Sequence, residues 1–181
     1  MKIFFDMEFT GLHQKTTPIS IGCISEDNKT FYGEFNDYDK KQINSWLQKN
    51  VMRNLMFDES FQYRHINGCG EVKNNLLHVK ANLGMWLQSF GEDIEMWSDC
   101  LAYDWVLFCE LFGGAFKIPS CVYYIPFDIC TLFKMEGVDP DTNREKYANM
   151  TDGGPKHNAL WDAKVIKGCY DTLTADKDGV F

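Results

Sequence analysis

Hydrophobic and polar positions alternate over short runs in the first third of the chain, which is typical of β-strands with one buried face. Turn-forming residues separate these runs, and Glu26-Asp27-Asn28 is placed to close a hairpin. The strands predicted on this basis are Ile3–Phe9, Pro18–Ser25 and Thr30–Phe35. We therefore expect the chain to begin with three consecutive strands.

Longer segments with helical spacing follow and alternate with short apolar runs. A helix is predicted over Lys40–Gln48, and the polar stretch from Val51 to Glu71, with its Asn67-Gly68-Cys69-Gly70 cluster, is interpreted as a loop. Beyond it, helices are predicted over Asn74–Phe90, Leu101–Phe112, Ile129–Met135 and Asn158–Leu173, and strands over Ile94–Trp97 and Cys121–Phe127. This order predicts an α/β fold in which helices pack against one mixed sheet. A length of 181 residues suits a single domain over residues 1–181.

Two acidic residues interrupt the first apolar strand. Side chains alternate along a strand, so Asp6 and Glu8 point to the same side, about 7 Å apart. Like charges so close repel each other unless one is protonated or a cation lies between them. An edge strand with a hydrated face would also explain the pair. However, Thr10-Gly11-Leu12 turns the chain directly afterwards, at a strand end, where sheets commonly carry their functional sites.

Two further acids lie near the helix predicted to begin at Leu101. Asp99 follows a strand and precedes the helix, so its expected role is to cap the first helical turn. Asp104 lies within a helix that is apolar nearly all round, and the neighbouring sequence offers it no basic partner. Because charged residues are rarely buried without a partner, Asp104 is interpreted as a site residue rather than a solvated one.

The last predicted helix carries a histidine and an acid five residues apart. Asp162 lies at the margin of the apolar seam, and it is expected to face the edge of the core. His157 cannot share that helical face, so we place it in the loop or first turn, with Asn158 as the helix cap. A surface or capping role is the alternative for His157. His13, His65 and His78 have no comparable acids around them.

Composition narrows the range of functions. The formal net charge of −8 has the wrong sign for holding nucleic acid by bulk electrostatics. It suits a small-molecule enzyme, an acidic interaction module, or a site where bound cations supply positive charge. Seven cysteines without a CxxC pair indicate reduced thiols and a cytoplasmic protein. No secretion signal is recognised, and no run approaches the ~20 apolar residues of a membrane span.

Taken together and in order, these motifs resemble the DEDD superfamily of 3′-5′ exonucleases, in its histidine-bearing branch. The first motif is D-x-E in a strand, here Asp6-Met7-Glu8, the second is the Asp of Tyr103-Asp104, and the third is H-x₄-D, from His157 to Asp162. DMEFTGL is similar to the form seen in oligoribonucleases. PISIG and HNALWDAKV are more similar to small bacterial and phage exoribonucleases related to the polyadenylate-specific type. Phe127-Asp128 resembles a strand-end Asp whose role in this family is structural.

The resemblance implies a ribonuclease H-like fold with a mixed five-stranded sheet flanked by helices. It implies two divalent metal ions, Mg²⁺ or Mn²⁺, held by Asp6, Glu8, Asp104 and Asp162, with His157 as the general base. It also implies that Leu12 wedges against the terminal bases, and that backbone around Met7 and Phe9 holds the terminal sugar. The substrate implied is the 3′ end of single-stranded RNA or DNA, with RNA favoured and a nucleoside 5′-monophosphate as product.

Other functions fit the same motifs. The chain could be a DNA exonuclease with this site, an inactive member that binds nucleic acid or protein through the same groove, or an unrelated cytosolic binding domain. Lys15, Lys117, Lys156 and Lys164 could lie along the path of a strand, although a solvated surface role explains most of them. A homodimer is also possible, through an aromatic surface such as Phe61, Tyr63 or Trp86.

Overall fold

Seven strands and six α-helices make up the fold that a computed structural model gives for residues 1–151 and 153–175. The strands are β1 (Lys2–Phe9), β2 (Pro18–Ser25), β3 (Thr30–Phe35), β4 (Tyr63–Ile66), β5 (Cys69–Asn74), β6 (Glu95–Ser98) and β7 (Phe127–Asp128). The helices are α1 (Ser45–Asn50), α2 (Leu76–Gln88), α3 (Asp104–Phe112), α4 (Ile129–Met135), α5 (Arg144–Tyr147) and α6 (Ala159–Thr174). The strands form one mixed sheet in the order β4-β5-β3-β2-β1-β6-β7.

The alternation of side chains along β1 decides which helices cover each face of the sheet. Ile3, Phe5 and Met7 belong to a core cluster that also contains buried residues of α2 and α3. Phe4 points the other way and packs in a second cluster with α4 and α6. Asp6 and Glu8 continue the Phe4 face towards the end of the strand. The two acids therefore lie on the side of the sheet that α6 covers.

The predicted α/β class, a mixed sheet flanked by helices, is confirmed, whereas the expected number of five strands is wrong. The segment interpreted as a loop contains β4 and the first half of β5, which pair antiparallel as a hairpin at one edge of the sheet. Asn67 and Gly68 form its turn with φ angles of 52° and 79°, the left-handed conformation that a two-residue hairpin requires. The hairpin was not predicted, because every residue of β4 is exposed and polar residues interrupt the apolar pattern of both strands.

Several predicted boundaries also change. The strand expected over Cys121–Phe127 is reduced to one bridge between Val122 and Ile94, and the paired residues of β7 are Phe127 and Asp128. The helix expected over Lys40–Gln48 is divided into a 3₁₀ turn at Lys40–Gln42 and α1. Asn44, the residue before α1, caps that helix by accepting a hydrogen bond from the Leu47 amide, so a new helix begins there.

The start of α3 differs from expectation. This helix begins at Asp104 rather than at Leu101, so the acid occupies the first helical position instead of an interior one. The side chain of Asp99 does not cap α3, because the residue before the helix is Tyr103 and no side chain caps it. By contrast, Asp128 caps α4 by accepting a hydrogen bond from the Cys130 amide, which agrees with its expected structural role.

Trp86 was a candidate for an exposed aromatic surface, but only 3% of it is exposed and it belongs to the core. Its Nε1 donates to the carbonyl oxygen of Gly68 and so ties α2 to the β4–β5 turn. Tyr63, at 54% exposure, remains on the surface. None of the helices within residues 1–151 and 153–175 combines the length and apolar character that crossing a bilayer requires.

Gly22 sets how closely α6 approaches the sheet. It lies opposite Asp6 in the β1–β2 pairing, and a Cβ placed on it would overlap backbone atoms of Ala159 and Leu160 at the start of α6. The absent side chain therefore lets the first turn of α6 lie beside the two acids of β1.

Replacing Gly22 with alanine is expected to lower the free energy of unfolding by about 3 kcal/mol, because the methyl group would have to displace helix backbone rather than a side chain. Urea denaturation of purified variants measures this change. Gly84→Ala is the matched control, since a Cβ there meets the Phe112 ring at an ordinary 3.7 Å. It should be neutral or slightly stabilising within a helix. Equal stability of the two variants would contradict the close approach at Gly22.

Candidate active site

A cleft of about 790 Å³ opens over the carboxyl end of β1. Its walls come from the end of β1 and the turn after it, from α1, from the segment that precedes α3, from residues 141–145 and from the start of α6. The register of β1 with β2 shifts between Glu8 and Phe9, an irregularity of the kind that often ends strand pairing near a site. Asp6 and Glu8 both line this cleft.

One group of potential ligands combines a strand residue with the start of α6. Carboxylate or ring atoms of Glu8, His157 and Asp162 all lie within 4.8 Å of one another. The Nδ1 atom of His157 is 4.0 Å from Glu8 Oε1, and its backbone amide donates a 3.0 Å hydrogen bond to Asp162 Oδ2. As predicted, His157 precedes the helix and Asn158 caps it, accepting a hydrogen bond from the Trp161 amide.

A second group lies deeper and combines Asp6 with residues from the other side of the cleft. Oxygen atoms of Asp6, Asp99 and Asp104 lie within 4.8 Å of one another. Asp104 is only 1% exposed, and its Oδ2 accepts a 2.6 Å hydrogen bond from the Ser98 hydroxyl. Its Oδ1 is buried without a hydrogen-bond partner among the described residues. A buried carboxylate oxygen with no partner is rare in proteins and fits a position that a cation completes.

Burial and mutual repulsion raise the pKa values of these carboxyl groups, so they stay protonated at pH values well above those at which carboxyl groups ordinarily ionise. Desolvation raises the pKa of Glu8 to about 8, with Asp162 as the next contributor. Desolvation likewise raises the pKa of Asp104 to about 8 and that of Asp162 to about 7. The pKa of Asp6 is raised well above normal by burial and by Asp104 and Glu8. Such an array is costly to ionise without added positive charge.

His157 differs from its acidic neighbours. Desolvation and the nearby Lys156 lower its pKa, so the imidazole is neutral near physiological pH. Its ring also meets the ring of Trp46 edge-on, with centroids 5.1 Å apart. A neutral imidazole that faces a carboxylate cluster is suited to accept a proton.

Asp99 and Arg144 line the cleft, although neither is among the residues predicted for the site. Arg144 Nε lies 2.8 Å from Asp99 Oδ2, and both residues line the cleft. Asp99 follows β6 directly at its carboxyl end, beside β1, and this position was the signal available in the sequence. Because Asp99 was interpreted as a helix cap, it was not assigned to the site. Arg144 had no local signal, because its partner is far away in the chain.

The residues expected to contact substrate also lie at the cleft. Leu12 is 73% exposed on the turn after β1, whereas only 3% of Met7 is exposed and its side chain belongs to the core of the opposite face. A contact from Met7 would therefore come through its backbone. Phe9 stacks on Tyr103 with centroids 5.3 Å apart. Trp46, which is 53% exposed, also lines the cleft and was not predicted.

Of the lysines suggested for the path of a strand, Lys156 lines the cleft, whereas Lys15, Lys117 and Lys164 lie outside its lining. The described walls of the cleft therefore contribute two Lys or Arg side chains, Arg144 and Lys156. One of the two is already paired with an acid, Asp99. The cleft is strongly acidic, which would disfavour an anionic ligand in the absence of bound cations.

Comparison with known proteins gives a family match over almost the whole chain. Residues 1–174 match the family model described as the 3′-5′ exoribonuclease Rv2179c-like domain. Two curated relatives are named "3′-5′ exoribonuclease MT2234.1", from Mycobacterium tuberculosis strain CDC 1551 / Oshkosh, and "3′-5′ exoribonuclease Rv2179c", from strain ATCC 25618 / H37Rv. Each is 28% identical over 179 residues, covering 98% of this chain and 96% of the relative. The matched region includes every cleft residue described above.

Proposed function

Because this chain belongs to the family of 3′-5′ exoribonuclease Rv2179c-like domains, we propose that it removes nucleotides from the 3′ end of single-stranded RNA by metal-dependent hydrolysis. The observation that carries the proposal is the convergence of five side chains from three distant segments into one cleft. These side chains are Asp6, Glu8, Asp104, His157 and Asp162. We further propose that the whole chain, residues 1–181, works as one exonuclease domain of the histidine-bearing DEDD type with a ribonuclease H-like fold.

Divalent cations fit the residues of the cleft. The donors are carboxylate oxygens, which hard cations such as Mg²⁺ and Mn²⁺ prefer, and the buried Asp104 Oδ1 lacks another partner among the described residues. Asp6, Glu8, Asp104 and Asp162 would hold two ions, and Asp99 lies close enough to Asp6 and Asp104 to contribute. When bound, such ions supply positive charge to the phosphate and acidify an attacking water.

The side chains of the protein would divide the remaining work. His157 faces Glu8 through Nδ1, and its lowered pKa leaves it neutral and able to take the proton of the attacking water on that side of the ring. Asp162 holds the backbone of His157 by accepting a hydrogen bond from its amide. Ser98 fixes one oxygen of Asp104 by a hydrogen bond, and the other oxygen would remain available to a cation.

Substrate recognition would rest on the rim. The exposed side chain of Leu12 would wedge against the terminal bases, and backbone around Met7 and Phe9 would hold the terminal sugar. Trp46 adds an exposed aromatic ring, which can stack on a base of any sequence. With a net charge of −8, the protein would hold the strand mainly at its last nucleotides, and the product would be a nucleoside 5′-monophosphate.

The test is hydrolysis of 5′-labelled single-stranded RNA in Mg²⁺ or Mn²⁺, with DNA of the same sequence and an RNA blocked at its 3′ end as parallel substrates. The proposal expects stepwise shortening from the 3′ end, release of monophosphates, and protection by the block. Faster hydrolysis of DNA would favour the DNA-directed alternative. No monophosphate from either polymer in either metal would leave an inactive binding protein.

Replacing His157 with alanine is expected to lower kcat about a thousandfold, because general base catalysis contributes on the order of 10²–10⁴. Binding of Mn²⁺, measured by titration calorimetry, should change much less, since the four carboxylates remain. His65→Ala on the exposed strand β4 is the matched control and should keep full activity. A His157→Ala enzyme with more than one tenth of the normal kcat would rule out the base assignment.

A further inference from the structure

His157 is held in an uncommon backbone conformation. Its φ of 63° lies in the left-handed region, which residues other than glycine adopt at a cost of about 1 kcal/mol or more. The residue precedes α6 and belongs to no helix or strand. Such a conformation persists when contacts outside the residue enforce it. The position of the imidazole therefore depends on what fixes the backbone on either side of it.

Asn54 contacts both neighbours of His157. Its side-chain Nδ2 donates a 2.6 Å hydrogen bond to the carbonyl oxygen of Lys156. Its own carbonyl oxygen accepts a 2.8 Å hydrogen bond from Nδ2 of Asn158, the residue that caps α6. One residue from a different segment thus bonds the backbone of the residue before the histidine and the side chain of the residue after it. Asn54 itself is not part of the cleft lining, so it is not placed to touch a substrate.

The segment that carries Asn54 is anchored to the sheet. Glu34 on β3 is 1% exposed, and its Oε1 accepts hydrogen bonds from the backbone amides of Met56 and Phe57, at 2.6 and 3.1 Å. The same oxygen accepts from the Tyr32 hydroxyl, which in turn accepts a 3.4 Å hydrogen bond from Asn158. Sheet, segment and helix cap therefore form one connected polar network, which ties the segment that carries Asn54 to the start of α6.

We propose that Asn54 is a positioning residue for His157, an assignment that rests on the proposed function of the cleft. It fixes the left-handed turn that brings the imidazole to within 4.0 Å of Glu8, and it acts on the reaction only through that imidazole. This gives the stretch between α1 and β4 a role at the site. A displaced base lowers the rate of the chemical step more than it weakens substrate binding.

The variant Asn54→Ala removes the hydrogen bonds from Nδ2 to the carbonyl oxygens of Lys156 and Asn50, and it keeps the backbone carbonyl that Asn158 uses. We expect kcat to fall about tenfold while KM stays within a factor of two. A general base that is slightly displaced loses only part of its contribution to the rate. Mn²⁺ affinity should be unchanged. Asn50→Ala is the matched control on the same segment, since it removes a side-chain bond to the Trp46 carbonyl instead. It should keep normal kcat.

The decisive measurement is a double-mutant cycle with His157→Ala under single-turnover conditions. Asn54→Ala should cause no further loss when His157 is absent, because its route to the reaction has been removed. An equal loss in both backgrounds, or an unchanged kcat in the single variant, would overturn the proposal. If Asn54→Ala does not fold, Asn54→Asp keeps the shape but not the donor, and it takes the same place in the cycle.

A readout independent of activity separates this proposal from the function on which it rests. The chain has four histidines. In [¹³C]histidine-labelled protein, the ring resonance of His157 is therefore identified as the one that is missing in His157→Ala. Asn54→Ala should shift or broaden that resonance and leave the other three in place. Wild-type protein that releases no nucleotide would refute the proposed function. An unchanged His157 resonance would refute the role of Asn54, whether or not the protein is active.

Discussion

Asparagine in place of Asp6 should abolish nucleotide release and, at the same time, make the metal-free protein more stable. Asp6 is the acid that lies with both Asp99 and Asp104, and it is two residues before Glu8 on the same face of β1. Losing this proposed metal ligand should remove about 4 kcal/mol of transition-state stabilisation, which is about a thousandfold in rate. Release of monophosphate from labelled RNA in Mn²⁺ measures it.

The gain in stability comes from removing a carboxyl group that is costly to ionise in the folded protein. Burial and the neighbouring carboxylates raise the pKa of Asp6, so the folded protein has to keep this group protonated or accept repulsion. Asparagine has nearly the same shape and never ionises. The free energy of unfolding at pH 8 without metal should therefore rise by roughly 2 kcal/mol, after allowance for solvent screening of a partly accessible site. Thermal unfolding in a chelating buffer measures this gain.

Asp171→Asn is the matched control for both effects. Asp171 is an exposed residue of α6 that pairs with Lys167 four positions earlier, and such a pair contributes about 0.3–0.5 kcal/mol. It should leave activity unchanged and lower stability slightly. An Asp6→Asn protein that is less stable than wild type without metal would show that the carboxylates do not repel one another. One that keeps a tenth of the activity would remove Asp6 from the metal site.

Local periodicity accounts for the parts of the site that the sequence predicted well. The period of two along β1 assigned Asp6 and Glu8 to one face, and the spacing of apolar residues in the last helix put Asp162 at the edge of its core-facing side. Asn158 was recognised as a cap because its side chain bonds an amide only three residues away. Each of these inferences depends on interactions within a few residues, which a sequence displays directly.

Features that depend on distant partners were missed. Asp99 forms an ion pair with Arg144, and the residue that we propose holds the turn at His157 is Asn54, more than a hundred positions earlier. No periodic pattern encodes either pairing. The β4–β5 hairpin was missed for a different reason, because an exposed edge strand needs no apolar face and so lacks the alternation that identifies buried strands.

Rising pH should destabilise the metal-free protein between about pH 5 and pH 8. The folded pKa values of Glu8 and Asp104 are raised to about 8 and that of Asp162 to about 7, whereas the same groups titrate near 4 in an unfolded chain. Between these values the unfolded chain has lost protons that the folded protein still holds. Stability therefore falls as the pH rises through this window and levels off above it.

His157 acts in the opposite direction, because its lowered pKa favours folding once the ring is neutral, but it is one group against several carboxyls. We expect a net loss of roughly 3 kcal/mol across the window, because the carboxyls share their mutual repulsion and do not contribute independently. Chemical denaturation at half-unit steps of pH in a chelating buffer measures this loss.

Millimolar Mg²⁺ or Mn²⁺ should abolish most of this dependence. A cation that binds ionised carboxylates in the folded protein stabilises it by an amount that grows with its affinity, and affinity increases as the carboxyls lose their protons. The metal-induced rise in melting temperature should thus be small at pH 5 and large at pH 8. Glu8→Gln, which removes one of the titrating groups, should give a shallower decline without metal and a smaller gain with it. Stability that increases from pH 5 to pH 8 in the chelating buffer would mean that the acids of the cleft are already compensated within the protein, and the case for bound cations would lose its physical basis.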